Sequence, residues 1–278
     1  MTFGITGVLT CWNTSSGDVV WRHAYAEEFE EPYPKFGAAV SPLIVDGSVY
    51  IHVGGAKGGA LRKLSLTTGE TEWSWSEDGP GCASPILCEV GGRQLVITQS
   101  EHFQFAVDAA TGEEVWEIPF ETEHDQNVIT PVVVQDTLYY SGYAAGTHAI
   151  RLMPETGPDS IWSVGNISQY MGPPVVTDGV MIGFDHRKKG RLFCLDVATG
   201  ELLWLTHGRW GRTDSLVVIG DHLGVLSDNG QLSFSKISRD AYRTAAYYNV
   251  GKETWAHPAF SDGVMVTKDE RHLSVWRF

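Results

Sequence analysis

Apolar and polar residues alternate in short runs along the whole chain, and no segment sustains a helical period. Runs such as 49–53 and 192–195 are four or five residues long and rich in β-formers, so they read as half-buried strands. Two kinds of turn separate the runs. Asp46-Gly47, Asp178-Gly179 and Asp262-Gly263 each stand between two apolar runs, a hairpin signal because both central residues of a type I′ turn need positive φ. Gly91-Gly92 and Asp136-Thr137 hold the corresponding places in two further copies, and residues 217–221 keep the hairpin without its preceding proline. Thr111-Gly112 and Thr199-Gly200, each four residues before a tryptophan, read as a second tight turn with glycine in the left-handed position.

The turns recur with a period. Ala106, Asp108, Thr111, Gly112 and Trp116 reappear at the same spacing as Cys194, Asp196, Thr199, Gly200 and Trp204. Looser copies end at Trp21 and Trp73, and one that is a residue longer ends at Trp162. Each period reads as strand, Asp-Gly turn, strand, loop, strand, Thr-Gly turn, strand. Its roughly 40–45 residues match one four-stranded propeller blade. The fold class is therefore all-β, a β-propeller of four-stranded antiparallel blades. Residues 1–278 read as one domain, with full blades at 36–77, 80–120, 126–165, 170–207 and 212–248 and partial blades at 1–25 and 255–278. Two strands are expected in the first partial blade and three in the last.

Composition narrows the function. A net charge of −14, from 20 Lys+Arg against 34 Asp+Glu, argues against binding nucleic acid or an anionic membrane surface, both of which need clustered cations. No apolar run is long enough for a transmembrane helix. The first seven residues lack a basic region, an apolar stretch and a cleavage site, so no secretory signal is expected there. Cys11, Cys82, Cys88 and Cys194 form neither a disulfide framework nor a CxxC pair, and are expected to be free thiols.

The Ala-x-Asp-x-x-Thr-Gly-x-x-x-Trp repeat resembles the tryptophan-docking motif of the PQQ-like propeller family, which includes quinoprotein alcohol dehydrogenases and BamB-type outer-membrane-assembly lipoproteins. The resemblance covers essentially the whole chain. It implies that Trp21, Trp73, Trp116, Trp162 and Trp204 each pack between neighbouring blades with the indole N–H bonded to main chain. It implies a bacterial, periplasmic or secreted location, with a cytoplasmic one left open by the missing signal. The family ring usually has eight blades, so the chain reads as a member lacking its N-terminal blades. It either closes as six by pairing its terminal pieces or stays an open arc of seven blade positions. The arc is favoured because residues 273–276 duplicate a strand already supplied by 8–11. Open blade edges would then invite self-association.

Candidate chemistry collects in the loops joining second to third strands and one blade to the next. These carry His52, His102, His124, Asp125, Gln126, Asn127, Tyr143, Tyr170, Asp185, His186, Arg187, Arg209 and Arg212 as candidates for binding a protein or small ligand. No spacing demands catalysis and no metal-ligand motif is present. The quinoprotein enzymes hold PQQ over a pair of adjacent cysteines, which this chain lacks, with a calcium or lanthanide bound by Glu, Asn and Asp. A non-catalytic binding scaffold without a cofactor is therefore favoured over a PQQ-dependent or other propeller oxidoreductase acting on an alcohol or sugar. The glycine-rich stretch 54–59 is no Walker sequence, and Arg187-Lys188-Lys189 is too short to bind nucleic acid alone. If the repeated tryptophans are structural, Trp116→Ala costs roughly 3–5 kcal/mol, measurable as a lowered urea midpoint at unchanged slope.

Overall fold

The computed structural model describes every residue except Pro32, Ala56, Lys57, Asp125, Glu155, Arg209 and Phe278. Among the described residues the chain is antiparallel β-structure with two single-turn 3-10 segments, at Tyr25–Glu27 and Arg187–Lys189. The first sheet holds β1 (Thr2–Gly4), β2 (Val8–Trp12) and β3 (Val19–Ala24). The second holds β4 (Leu43–Val45), β5 (Ser48–Gly55), β6 (Gly58–Ser65) and β7 (Thr71–Trp75). The third holds β8 (Ile86–Val90), β9 (Arg93–Gln99), β10 (Phe103–Asp108) and β11 (Glu114–Pro119). The fourth holds β12 (Val132–Val134), β13 (Thr137–Gly142), β14 (Gly146–Arg151) and β15 (Asp159–Val164). The fifth holds β16 (Val175–Thr177), β17 (Val180–Asp185), β18 (Arg191–Asp196) and β19 (Leu202–Leu205). The sixth holds β20 (Asp214–Ile219), β21 (His222–Ser227), β22 (Gln231–Lys236) and β23 (Thr244–Asn249). The last holds β24 (Ala259–Ser261), β25 (Val264–Lys268) and β26 (Leu273–Arg277).

Every sheet follows chain order, strand beside next strand, as the blade pattern requires. The fold is a β-propeller of antiparallel blades. One expectation needs correction: the first sheet has three strands, not two, because Thr2–Gly4 pairs with β2. Three residues ending in glycine leave no alternation to read. The terminal pieces form separate three-stranded sheets. By packing density the residues fall into two compact units. One comprises Met1–Ala145 with Ala149–Ser160, the other Gly146–His148 with Ile161–Phe278.

The hairpin turns have the backbone their sequences ask for. Asp46 and Gly47 sit at φ +48° and +76°, Asp178 and Gly179 at +49° and +74°, Asp262 and Gly263 at +43° and +74°. In the fourth sheet Val134 pairs with Thr137, so the two loop residues are Gln135 and Asp136, one position earlier than the sequence pattern placed them. Gln135 takes the positive φ of +56° without being glycine.

The Thr-Gly turn is built the same way in several blades. Asp108 Oδ1 accepts the N–H groups of Ala110 at 2.9 Å and Thr111 at 3.0 Å, and Asp196 Oδ1 does the same for Ala198 and Thr199. Asn13 plays this part in the first sheet. Short polar side chains capping their own turn explain the Asp or Asn at this position. Just before each turn the ladder slips by one residue, after Cys11–Trp21, Lys63–Trp73, Ala106–Trp116 and Cys194–Trp204. The bulge re-aims the strand so that the tryptophan leans toward the following blade.

There it meets the next turn. Trp21 Nε1 donates to Leu66 O at 2.9 Å, Trp73 to Ala109 O at 3.1 Å, Trp162 to Val197 O at 2.8 Å and Trp204 to Ser238 O at 2.9 Å. The ring also covers the turn glycine. A Cβ on Gly69 would lie 2.7 Å from the Trp21 ring, on Gly112 2.6 Å from Trp73 and on Gly200 2.8 Å from Trp162. Glycine is required twice over there, by its φ of +72° to +76° and by the indole lying on it.

Trp116 departs from this expectation. It is buried, yet its indole N–H has no partner among the described residues. The turn it should meet is the one that is a residue longer. Its Gly157 lacks positive φ and has open space where a Cβ would go. In the sixth sheet the equivalent slip follows Phe234–Ala246, so alanine stands where the others have tryptophan.

Between blades the core is apolar. Tyr50, Leu61 and Trp75 of the second sheet pack on Val96, Phe105 and Val107 of the third, with the Trp75 and Phe105 rings stacked at 4.0 Å. Val180, Ile182, Leu192 and Cys194 of the fifth pack on Leu216, Leu223 and Val225 of the sixth. All four cysteines are free, as expected, and burial pushes the Cys194 thiol up to about 12 and Cys88 to about 11. Gly112→Ala is expected to cost roughly 2–4 kcal/mol in urea unfolding, from backbone strain and lost ring packing. Gly157→Ala, with neither constraint, stays within roughly 0.5 kcal/mol of the parent.

Candidate functional site

In the first unit the polar candidates gather around the connection from β7 to β8. His52 is not a loop residue. It lies inside β5, within the 49–53 run that reads as a strand, fully buried and edge-on to Trp75 and Phe105 at about 6 Å. Its Nε2 donates to the Asp78 carbonyl at 3.1 Å, and burial pulls its pKa down to about 4. His102 is exposed in the β9–β10 turn. Its Nδ1 is 2.9 Å from Asp78 Oδ1, and its main-chain N–H donates to Asp78 Oδ2 at 2.8 Å. That bond to Asp78 raises the imidazole pKa.

Asn127 is the buried post of this region. Its amide nitrogen lies within hydrogen-bonding reach of the carbonyls of Ser100 at 2.9 Å, Glu101 at 3.0 Å and Phe120 at 2.9 Å. Its own carbonyl accepts from Cys82 N–H, tying two interblade loops together. Gln126 is half-buried beside it. His124, exposed and at φ +67°, faces Tyr143 with ring centroids 6.2 Å apart. Asp125 lies outside the described residues. Asp78 and Glu101, which sequence reasoning did not select, complete the cluster. With His102 they place three donor atoms within 4.8 Å of one another, the one such group among the described residues. Both Asp78 oxygens already accept bonds from His102.

The second unit holds a different arrangement. Asp185, expected in a loop, is the last residue of β17 and fully buried. Arg187 Nε bonds its Oδ1 at 2.8 Å and Arg191 bonds Oδ2, so the carboxylate is doubly paired. Arg187 also donates to the Asn166 carbonyl, closing the loop over the strand end. His186 Nδ1 donates to Ser168 O at 3.1 Å, Tyr170 meets its ring edge-on at 6.0 Å, and burial lowers the imidazole pKa. Arg209 lies outside the described residues.

Arg212 opens onto a cavity of about 520 Å3, lined also by Glu253, Trp255, Lys268, Asp269 and Glu270. Asp228 organises its rim. Its Oδ2 accepts Arg212 N–H at 2.8 Å and its carbonyl accepts Thr254 N–H at 2.8 Å. Trp255 is 56% exposed on this braced segment. Behind the rim, Asp214 at the start of β20 is buried, with neither carboxylate oxygen hydrogen-bonded among the described residues. Burial, added to by the charge of Asp228, raises its pKa to about 8. A further cavity of about 550 Å3 lies at the turn end of the second and third sheets. Its charged pair, Arg93 and Asp108, is bonded at 2.6 Å and serves the turn.

A stacked repeat whose tryptophans bond across to the next blade defines the PQQ-like class of propeller. Within it, the family described as outer membrane protein assembly factor BamB matches residues 2–206, and the chain belongs to that family. BamB from Moraxella catarrhalis superposes with a TM-score of 0.75 at 19% identity, covering 99% of this chain and 80% of that one. The computationally designed Ika8 protein gives 0.57 at 10% identity, over 99% and 92%. A europium-containing methanol dehydrogenase gives 0.57 at 13% identity, over 88% of this chain and 54% of the enzyme. No curated protein matches the chain significantly.

Asp214 makes a pH-dependent prediction. Its folded pKa lies above the unfolded value of about 3.9, so the native state holds a proton the unfolded state releases, and stability falls as pH rises from about 4 to about 8. Asp214→Asn is expected to raise unfolding free energy by roughly 2–4 kcal/mol at pH 7.5 and to change it little at pH 4. Paired urea titrations at the two values check this.

Proposed function

We propose that the protein is a non-catalytic scaffold that binds a protein or ligand through its loop face, as a bacterial envelope component on the periplasmic side. The observation that carries this reading is how the polar candidate groups are used. The Asn127 amide lies within reach of three carbonyls, Asp185 is held by two arginines and His52 is buried among rings. Groups so committed make a rigid platform rather than a free acid–base pair. Family membership supports the same choice, since its description names an assembly factor. No helix among the described residues is long and apolar enough to cross a membrane.

The residues do not fit PQQ as the quinoprotein enzymes hold it. The four thiols are free and none is adjacent to another in sequence. In the Asp78, Glu101 and His102 group both aspartate oxygens already accept bonds from the histidine. Equilibration with PQQ and Ca2+, followed by a dye-linked assay over alcohols and sugars, is expected to give neither cofactor retention nor turnover. Turnover that needs PQQ would overturn the scaffold reading. A partner cross-linked in envelope extracts should be lost from a His124→Glu, Tyr143→Ala double variant whose thermal midpoint is unchanged.

A further inference from the structure

The cavity beside Trp255 is not explained by the blade architecture. Most tryptophans here are used between blades, but Trp255 turns more than half its surface to solvent on a segment fixed at three points. Thr254 N–H donates to Asp228 O, Thr254 Oγ1 donates to Lys268 O, and Ala256 N–H donates back to Thr254 Oγ1 at 3.1 Å. An exposed indole held rigidly offers a flat apolar face at little entropic cost on binding. Around it stand the guanidinium of Arg212 and the carboxylates of Glu253 and Glu270, none with a side-chain hydrogen bond or ion pair among the described residues.

The charge pattern selects the ligand. Asp269 is spent on the backbone, its oxygens accepting N–H groups from Arg271 at 2.9 Å, His272 at 2.7 Å and Lys252 at 3.2 Å. Those bonds hold its carboxyl down to about 2. Lys268 Nζ is likewise committed, donating to the Asp269 carbonyl, so Arg212, Glu253 and Glu270 remain at the cavity beside an ionised Asp269. A cationic ligand would meet the guanidinium and an anionic one the carboxylates, so a charge of either sign faces a like charge here. A neutral ligand with many hydroxyls uses both, donating to the carboxylates and accepting from the guanidinium, while its ring C–H face covers the indole.

We propose that this cavity is a saccharide-binding site, with Trp255 as the stacking platform and Arg212, Glu253 and Glu270 as the hydroxyl-reading groups. About 520 Å3 accommodates a ligand of one to three sugar rings. Asp228 is the positioning residue, since it fixes the backbone of both Arg212 and Thr254. The site is independent of the protein-binding role assigned above and stands or falls separately.

The test uses the full chain with glucose, N-acetylglucosamine and their β-1,4-linked tetramers, read by saturation-transfer NMR and calorimetry. Short lysine and glutamate peptides serve as charged comparators. At least one tetramer is expected to bind with a dissociation constant of roughly 1 mM or tighter. Trp255→Ala should weaken it at least about tenfold, Trp255→Phe should keep most of it, and paired Glu253→Gln, Glu270→Gln should weaken it. All three variants alter exposed side chains and should keep the parental thermal midpoint. The proposal is overturned if no sugar binds at that level, or if binding survives Trp255→Ala intact. It is also overturned if only a charged peptide binds in a Trp255-dependent way.

Discussion

The structure depends on one contact repeated from blade to blade: an indole ring laid on a glycine that has no Cβ, with its N–H given to a carbonyl of the same turn. A four-stranded sheet cannot bury both faces alone, so a blade is stable only against its neighbours. The tryptophan supplies apolar area, the hydrogen bond fixes where it sits, and the glycine lets the ring approach. Each part demands the others. The bulge aims the ring, the Asp or Asn cap sets the turn, and the turn puts the glycine in the left-handed region.

Trp116 shows what happens when one part changes. The turn beyond it is longer, its glycine lies outside the left-handed region, and the indole N–H goes without a described partner. Burial against Val90, Ile97 and Leu152 still holds the ring. Apolar packing can therefore carry a blade interface without the hydrogen bond, although with less to fix its register. In the sixth sheet the ring itself is replaced by Ala246.

How much of this was legible in the chain follows from what repeats. Strands and turns could be placed because Asp-Gly, Thr-Gly and Trp recur at a fixed spacing, and each has a local backbone reason. Thr2–Gly4 was missed because three residues carry no alternation, and the Gln135-Asp136 loop was misplaced because glutamine is an unusual occupant of positive φ. The sites were far less legible. His52 and Asp185 were assigned to loops because polar residues at strand ends look like loop residues. Their burial is visible only once the neighbouring rings and arginines are in place. Asp78 acts through His52 and His102, 26 and 24 residues away, a separation for which no spacing is diagnostic. Asp214 is the clearest case, an ordinary Thr-Asp-Ser stretch whose carboxyl becomes abnormal only through burial.

The glycine–indole contact, as the unit on which the fold is built, is tested most directly by a double-mutant cycle between Trp73 and Gly112, with urea unfolding of the parent, Trp73→Ala, Gly112→Ala and the double variant. If the ring lies on the glycine as described, removing the ring relieves much of the cost of the new Cβ. The two changes should then couple by roughly 1–3 kcal/mol. Additive costs, within about 0.5 kcal/mol, would contradict the account and leave the glycine as no more than a turn residue.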